Sequence, residues 1–294
     1  MIVVLGSTNT DMVESGAKIP VPGETVSGGT FMMNPGGKGA NQAVAVARLS
    51  KKKGSCMFIA KVGNDMFGRD TAVRMKEEGI DARLVVDRSC ASGTALIIVD
   101  GAGQNCISVA LGANGTLSPA DAKRFEKHIQ RADALLLQLE TPIETVLWAA
   151  KTAHGKKVPV ILNPAPAAKL PKELYACLDW ITRNETEAEL LTGVKVSDLA
   201  SCRKADAALR RRGVANVIIT LGSRGCYAAG KIHPCMKVKA VDTVAAGDTF
   251  NGAFVVALAE GMPVDEAVAF AQRASAIAVT RHGAQPSIPR RGEM

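Results

Sequence analysis

Continuous apolar runs alternate with amphipathic segments along most of the chain. The apolar runs have the length and composition of strands buried on both faces of a sheet. They are residues 2–5, 55–62, 134–139, 158–162, 178–182 and 216–221. Apolar residues at helical spacing fall between them, in a segment that ends at Leu49 and at 70–78, 118–131, 142–154 and 197–212. This alternation predicts one α/β domain over residues 1–294, with a central, mostly parallel sheet flanked by helices.

Two stretches interrupt the alternation. Residues 12–35 contain several Pro and Gly among short β-prone pieces, and residues 93–111 carry two further β-type runs around the turn residues Asp100 and Gly101. Such segments are typical of hairpins. We therefore expect both stretches to form a second, smaller β-sheet.

A stretch of small residues near the end of the chain has the features of an anion site. A predicted strand at 236–241 leads through Ala245, Ala246 and Gly247 to a predicted helix that continues through 253–259. Because these three residues are small, their backbone N–H groups can approach a phosphate at the positive end of the helix dipole. Asp248 follows directly, as a general base or as a helix cap, and the stretch alone favours neither role.

Polar residues recur where the predicted strands end. Since the carboxyl ends of parallel strands form the usual ligand crevice, we expect these residues to share one rim. They are Asn9, Asp11, Glu140, Asn163, Asn184, Glu187 and 220–225. The segment from Gly36 to Asn41 is similar to a phosphate loop. It is not a Walker A motif, because Gly39 occupies the position of the Ser or Thr that should follow the lysine.

Composition narrows the classes of function. The formal net charge of +8 favours anionic small molecules, while the basic clusters 51–53 and 210–212 lack the interleaved aromatics of a nucleic-acid surface. Seven scattered cysteines without a C-x-x-C pair indicate reduced thiols inside a cell. No apolar run has the length of a membrane span and no charged leader precedes the first strand, so we expect a soluble, cytoplasmic protein without membrane or nucleic-acid partners.

The chain resembles the ribokinase family of ATP-dependent sugar and nucleoside kinases. The resemblance extends from residues 4–7 to 283–287, and its two motifs are 36–43 and 242–252, with 184–187 and 220–225 between them. It implies ATP-dependent phosphorylation of D-ribose at O5, with Asp248 as the general base and the amides of Ala245, Ala246 and Gly247 as the anion hole. It assigns the sugar to Asn9, Thr10, Asp11, Gly37, Lys38, Gly39, Ala40, Asn41, Glu140 and Asp248.

The same resemblance assigns the nucleotide and the metal ions. ATP is expected at Asn184, Thr220, Leu221, Gly222, Ser223, Arg224, Gly225, Gly247, Asp248 and Gln272. Mg²⁺ is expected near Glu187, through water. An activating K⁺ is expected at Asp242, Val244, Ala278, Arg281, Gly283 and Ser287, several of them through backbone carbonyls. It further implies that the small sheet, at 12–35 and 93–111, is a lid over the sugar and that the lids pair in a homodimer.

Three departures from the family pattern affect details of these expectations. Arg183 replaces a proline that usually precedes Asn184, Gln272 stands where histidine is frequent, and we expect the final helix of the family to be lacking after Ser287. The alternatives are a kinase of the same fold for another small sugar, such as deoxyribose, and a catalytically silent ribose sensor. An adenosine kinase is less favoured, because Phe31 is the only aromatic residue in the lid segments.

Overall fold

The computed structural model describes residues 1–294 and contains thirteen strands and ten α-helices. The strands are β1 (Ile2–Leu5), β2 (Asn9–Ser15), β3 (Thr30–Gly36), β4 (Cys56–Gly63), β5 (Asp81–Asp87), β6 (Gly93–Val99), β7 (Asn105–Ala110), β8 (Ala134–Leu137), β9 (Val160–Leu162), β10 (Trp180–Asn184), β11 (Asn216–Thr220), β12 (Cys226–Ala228) and β13 (Lys231–His233). The helices are α1 (Lys38–Leu49), α2 (Met66–Glu77), α3 (Pro119–Lys123), α4 (Glu126–Ile129), α5 (Ile143–His154), α6 (Lys172–Tyr175), α7 (Glu185–Thr192), α8 (Leu199–Arg210), α9 (Ala246–Ala259) and α10 (Val264–Ala278). Short 3₁₀ helices lie at Gly112–Thr116, Gly222–Arg224, Gln285–Ser287 and Arg291–Glu293.

Nine strands form the central sheet, in the order β13-β12-β11-β10-β9-β8-β1-β4-β5. All neighbours are parallel except the pairs β11–β12 and β12–β13, which are antiparallel and form one edge. The predicted fold class is confirmed. Because the strands between β11 and β5 all run in one direction, their carboxyl ends lie along one rim.

The second sheet has four strands in the order β3-β2-β6-β7. The chain leaves β1 at Leu5 and enters β2 at Asn9, so the small sheet emerges directly from the rim of the large one. It returns through β3 into the start of α1. The small sheet is therefore attached beside the rim by two of its strands.

Two apolar layers, one on each face of the central sheet, form the core. On one face, α1, α9 and α10 pack together. A Cβ atom at Gly252 would collide with the Cβ of Ala45, so the missing side chain allows α1 and α9 to approach closely. This contact places the N-termini of the two helices near each other at the rim.

Two predicted elements differ in the structure. Residues 236–241 form no strand; Val241 donates its backbone N–H to Val279 O at 2.7 Å, and the side chains of Met236 and Val238 are exposed. The segment crosses the end of α10 because β13 already occupies that sheet edge. The predicted helix 118–131 is divided into α3 and α4, with a non-helical backbone at Phe125.

Arg48, in the last turn of α1, forms hydrogen bonds that link this helix to the C-terminal segment. Its Nη1 donates to the carbonyls of Gln285 and Ile288 at 2.7 and 2.8 Å, and its Nε donates to Glu78 at 2.9 Å. The charged groups of the pair are largely removed from water. The guanidinium fork thus serves three acceptors that one ammonium cannot reach together.

We predict that Arg48→Lys lowers the free energy of unfolding by about 1–3 kcal/mol, because the charge remains while the fork is lost. Arg74→Lys is the matched control; its pair with Asp70 is exposed, and a change of about 0.5 kcal/mol or less is expected. Urea denaturation measures both. Equal changes in the two variants would contradict the role given to Arg48.

Candidate active site

Asp248 lies in the first turn of α9 and is buried. Its Oδ2 accepts a hydrogen bond from Asn41 Nδ2 at 3.0 Å, and its Oδ1 accepts one from Gln42 Nε2 at 2.9 Å. Burial raises the pKa of this carboxyl, while the charge of Lys38 and the two amide donors act in the opposite direction. Asp248 is not the N-cap of α9, since Ala245 holds that position. The capping alternative is therefore excluded.

The backbone before Asp248 presents free donors. Ala245 adopts a left-handed conformation with φ 57°, which turns the chain into α9. The N–H groups of Ala245, Gly247 and Asp248 donate to no other group of the protein, whereas that of Ala246 donates to Thr243 O at 3.3 Å. Free N–H groups at a helix N-terminus suit an anion.

Lys38 lies among carboxylates at the start of α1. Burial would lower the pKa of its ammonium, but four acidic groups raise it above its ordinary value. They are Asp248, Glu140, Glu187 and Asp11. The positive charge of Lys38 is thereby stabilised at the start of α1, within reach of the charge of Asp248.

Asp11, on β2, faces the same group of charges. Its pKa is raised to about 6, first because burial disfavours the charged form and then because Glu140 and Asp248 repel it. Glu140 itself accepts hydrogen bonds from Ser7 Oγ at 2.5 Å and from the backbone N–H of Lys38 at 2.9 Å. Three carboxylates and one ammonium thus surround a space that can recognise several hydroxyl groups.

Asn9 is fixed by a residue that the sequence did not single out. Its Oδ1 accepts from Asn114 Nδ2 at 2.8 Å, and Asn114 also exchanges hydrogen bonds with the backbone of Thr8. The amide nitrogen of Asn9 donates to no group of the protein, so it remains available to a ligand. Asn114 lies in a Gly-rich turn, a context in which its sequence signal is that of a turn residue.

The remaining residues predicted to bind the sugar lie around this space. Gly37 has φ 87° and lies so close to the chain that a Cβ would be 2.7 Å from the backbone nitrogen of Asn9. Gly39 and Ala40 pack against Ser7, to whose carbonyl the N–H of Ala40 donates at 2.8 Å. Thr10 lines a smaller cavity beside β2, together with Asn9 and Asn34.

A second, larger cavity of about 700 Å³ opens beside the N-terminus of α9. Predicted nucleotide residues line it, namely Thr220, Gly222, Ser223, Gly225, Gly247 and Gln272, and Ala246 does so as well. Sequence reasoning missed its apolar wall, which includes Val238, Phe250, Ala276 and Val279. The 236–241 segment supplies part of this wall, which explains its apolar pattern. A mixed lining of this volume suits a nucleotide.

Gln272 Nε2 donates to His233 O at 2.8 Å. Leu221 is buried in the core, and Arg224 pairs with Glu185 and donates to Ser197 O at 2.5 Å. The structure therefore places Leu221 and Arg224 outside the cavity lining.

Asn184 and Glu187 form a capping box at the start of α7, each side chain accepting from the backbone N–H of the other. One carboxylate oxygen of Glu187 accepts no hydrogen bond from the protein. The charge of Glu187 acts on Lys38, so the two belong to one electrostatic site. A free carboxylate oxygen at this position fits Mg²⁺ bound through water.

Arg183, which replaces the family's proline, is buried on β10, where its Nη1 donates to Glu187 O at 3.4 Å. Its Nε and Nη2 have no partner, and burial lowers the pKa of the guanidinium to about 10. With arginine at this position, the hydrogen bonds between Asn184 and Glu187 are still formed.

Asp242 joins the two loops in which a monovalent cation is expected. Its Oδ1 accepts from the backbone N–H of Val244, and its Oδ2 accepts from that of Gly283, both at 2.9 Å. Ala278 ends α10 and Ser287 is buried behind Gly283, whereas the side chain of Arg281 pairs with Glu293. Asp242 therefore brings a carboxylate to the junction of the two loops in which the cation is expected. No group of three or more His, Cys, Asp or Glu side chains is arranged as a metal centre.

None of the helices combines the length and apolar character needed to cross a bilayer.

Comparisons with known proteins agree with this geometry. The family model described as pfkB family carbohydrate kinase matches residues 1–291. A ribokinase of Haemophilus influenzae is 46% identical over 297 residues, which cover 99% of this chain and 96% of the relative.

Two solved structures are similar to this chain over nearly its whole length. Ribokinase from Thermotoga maritima has a TM-score of 0.90 at 41% identity and covers 99% of this chain and 97% of its own. Arabidopsis thaliana ribokinase, complexed with ribose and ATP, has a TM-score of 0.90 at 32% identity, with 99% and 96% covered.

Proposed function

Because the chain belongs to the pfkB family of carbohydrate kinases, we propose that it transfers the terminal phosphoryl group of ATP to O5 of D-ribose. The products are ribose 5-phosphate and ADP. The observation that carries the proposal is the position of Asp248, a buried carboxylate beside free N–H donors, between a polar cluster and a nucleotide-sized cavity. The end-to-end similarity to ribokinases supports this substrate pair.

In this proposal, Asp248 accepts the proton of the O5 hydroxyl as that oxygen attacks phosphorus. The amides of Ala245, Ala246 and Gly247 stabilise the charge on the phosphoryl oxygens. Lys38 holds positive charge on the transfer path. Phosphoryl transfer depends on positioning and on charge stabilisation, and these residues contribute both.

Sugar recognition is proposed for the polar cluster around Lys38. Its members are Asn9, Asp11, Gly37, Lys38, Asn41 and Glu140, with Thr10, Gly39 and Ala40 shaping the backbone around them. The small sheet covers this cluster as a lid, since Asp11 and Asn9 belong to β2 and project from it.

ATP is proposed to occupy the cavity of about 700 Å³, with its phosphates toward Gly247. Asn184 and Glu187 would hold Mg²⁺ through water, and the ion would neutralise charge on the phosphates. We further propose that the enzyme works in the cytoplasm, since scattered cysteines without C-x-x-C spacing suit a reducing compartment.

The alternatives receive less support. A silent sensor has no need of a buried carboxylate next to an anion site, and this chain retains both. A kinase for deoxyribose is not favoured, because ribokinases that are 40–46% identical to this chain are more similar to it than the deoxyribokinase of Salmonella typhi at 37%.

We predict that Asp248→Asn lowers kcat with ribose by about 10³-fold, because the amide accepts no proton from the sugar. A coupled assay of ADP release measures this. Asp265→Asn is the control, because Asp265 lies in the exposed first turn of α10, where it forms an ion pair with Lys231. Substantial turnover by Asp248→Asn would refute the general-base role.

Activation by K⁺ is proposed to act through Asp242. Val244 and Gly283 donate to this carboxylate, and an ion shared by the two loops would order the backbone that leads to Ala245. The N–H donors for the phosphoryl group follow directly in the chain.

We predict that activity rises when K⁺ replaces Na⁺ at constant ionic strength, and that Asp242→Asn removes this response. Initial rates at matched chloride concentration measure it, with Asp265→Asn again as a control of equal charge change. Identical rates in the two salts would show that the loop is ordered without the ion.

A homodimer through the lid is proposed because the small sheet exposes apolar side chains on both faces. Leu96 and Ile107 are each 54% exposed, and the strand register places them on opposite faces. Phe31, at 63% exposure, lies on the edge strand β3. A partner sheet would cover these residues and the open strand edges.

We predict a dimer in sedimentation velocity at micromolar concentration and a monomer for the double variant Leu96→Glu/Ile107→Glu. The control is Val73→Glu, an exposed apolar residue on α2, which leaves the dimer intact. A monomeric wild-type protein would contradict the proposal.

A further inference from the structure

A chain of three buried side chains leads away from Asp248. Gln42 is fully buried, and its Nε2 donates both to Asp248 Oδ1 at 2.9 Å and to Asn163 Oδ1 at 3.1 Å. Its Oε1 accepts from Gln138 Nε2 at 2.6 Å. Gln138 is also fully buried. Neither glutamine belongs to the residues assigned above to the sugar, the nucleotide or an ion.

The carboxylate of Asp248 only accepts hydrogen bonds, and this sets the direction of the Gln42 amide. If the Gln42 amide were rotated by half a turn, its oxygen would face the oxygens of Asp248 and Asn163, and its nitrogen would face the nitrogen of Gln138. All three contacts would then be repulsive. Asn163, whose Nδ2 donates to Thr182 O at 3.2 Å, and Gln138, whose Nε2 donates to Gln42, together favour the orientation in which Gln42 offers its N–H groups to Asp248.

This orientation favours the charged form of Asp248. Donors that face a carboxylate stabilise its ionised state, and burial opposes that state. The charged groups that face Asp248 from the surrounding elements are Lys38 on α1, Glu140 after β8 and Asp11 on β2. Two of these three are negative. The N–H donors of Gln42 and Asn41 thus offset repulsion as well as burial.

Gln138 retains its position although one of its atoms is unsatisfied. Its Oε1 is buried without a hydrogen-bond partner, and it occupies the space that a side chain at Gly6 would fill. A Cβ at Gly6 would also lie 2.9 Å from the Cα of Gly39. At this position the Nε2 group of Gln138 has a hydrogen-bond partner, whereas its buried Oε1 atom has none.

We propose that Gln42, oriented by Gln138, is a positioning residue that keeps Asp248 ionised and directed for proton abstraction. This inference rests on the proposed function, because it concerns the base of that same reaction. It adds two residues that touch neither substrate and act only through Asp248.

The test is the pH dependence of kcat and of kcat/KM for ribose in the variants Gln42→Met and Gln138→Met. Both substitutions nearly conserve volume and remove hydrogen bonds. In Gln42→Met, Asp248 loses a donor, and we expect the acid limb to move up by about one pH unit. In Gln138→Met, Gln42 still contacts Asp248, but its amide loses the hydrogen bond from Gln138 that helps to orient it. We therefore expect a smaller shift of the acid limb in the same direction. At high pH, kcat should recover to within about tenfold of the wild-type value.

Gln130→Met is the matched control. The side chain of Gln130 donates only to Glu126, in the neighbouring turn of α4, so the acid limb of the Gln130→Met variant should not move. Circular dichroism establishes that each variant is folded, and if Gln42→Met fails to fold, Gln138→Met decides the question. A uniform loss of kcat at every pH, or an unmoved acid limb in a folded variant, would overturn the proposal. Turnover by Asp248→Asn would instead refute the general-base role, so the two failures are distinguishable.

Discussion

The contact between the start of α1 and the start of α9 is the interaction on which the site depends. Asn41 and Gln42 donate to the two oxygens of Asp248, although more than two hundred residues separate them in the chain. Close packing of Gly252 on Ala45 makes this approach possible. Lys38 and Asn41 of the polar cluster lie at the start of α1 and the free N–H donors at the start of α9, so this contact fixes the distance between these two parts of the site.

Charged groups near this contact also affect the protonation of Asp248. Three carboxylates surround one ammonium, and the buried Asp248 would be protonated more readily without Lys38 and its two amide donors. Asp11 has a pKa of about 6 for the same reasons of burial and repulsion. The cluster therefore tolerates a concentration of negative charge whose oxygen atoms are available as acceptors for hydroxyl groups. Polar groups in such a low-dielectric site interact strongly with their partners.

The sequence was sufficient for the architecture and for much of the rim. Continuous apolar strands predict a parallel sheet, and a parallel sheet collects its strand ends at one edge, so Asn9, Asp11 and Glu140 could be expected together. Small residues before Asp248 likewise indicated N–H donors at a helix start, and those of Ala245 and Gly247 are free whereas that of Ala246 donates to Thr243 O. The fold could be predicted because it depends on local pattern and on a general rule of topology.

The remainder depends on contacts that no local pattern reveals. Gln42 and Gln138 are 96 residues apart, and Asn114 reaches Asn9 from a turn 105 residues away. An isolated glutamine in an apolar run has no signal of its own. The segment 236–241 was misread as a strand because an apolar cavity wall and a buried strand share one hydropathy pattern. Only the tertiary structure distinguishes a cavity wall from a strand at this position.

The most direct measurement is a crystal structure with ribose and a non-hydrolysable ATP analogue. The account predicts that O5 of the sugar lies within hydrogen-bond distance of an Asp248 carboxylate oxygen, and that the terminal phosphate faces the N–H groups at the start of α9. A sugar whose O5 points away from Asp248, or a phosphate bound elsewhere, would contradict it.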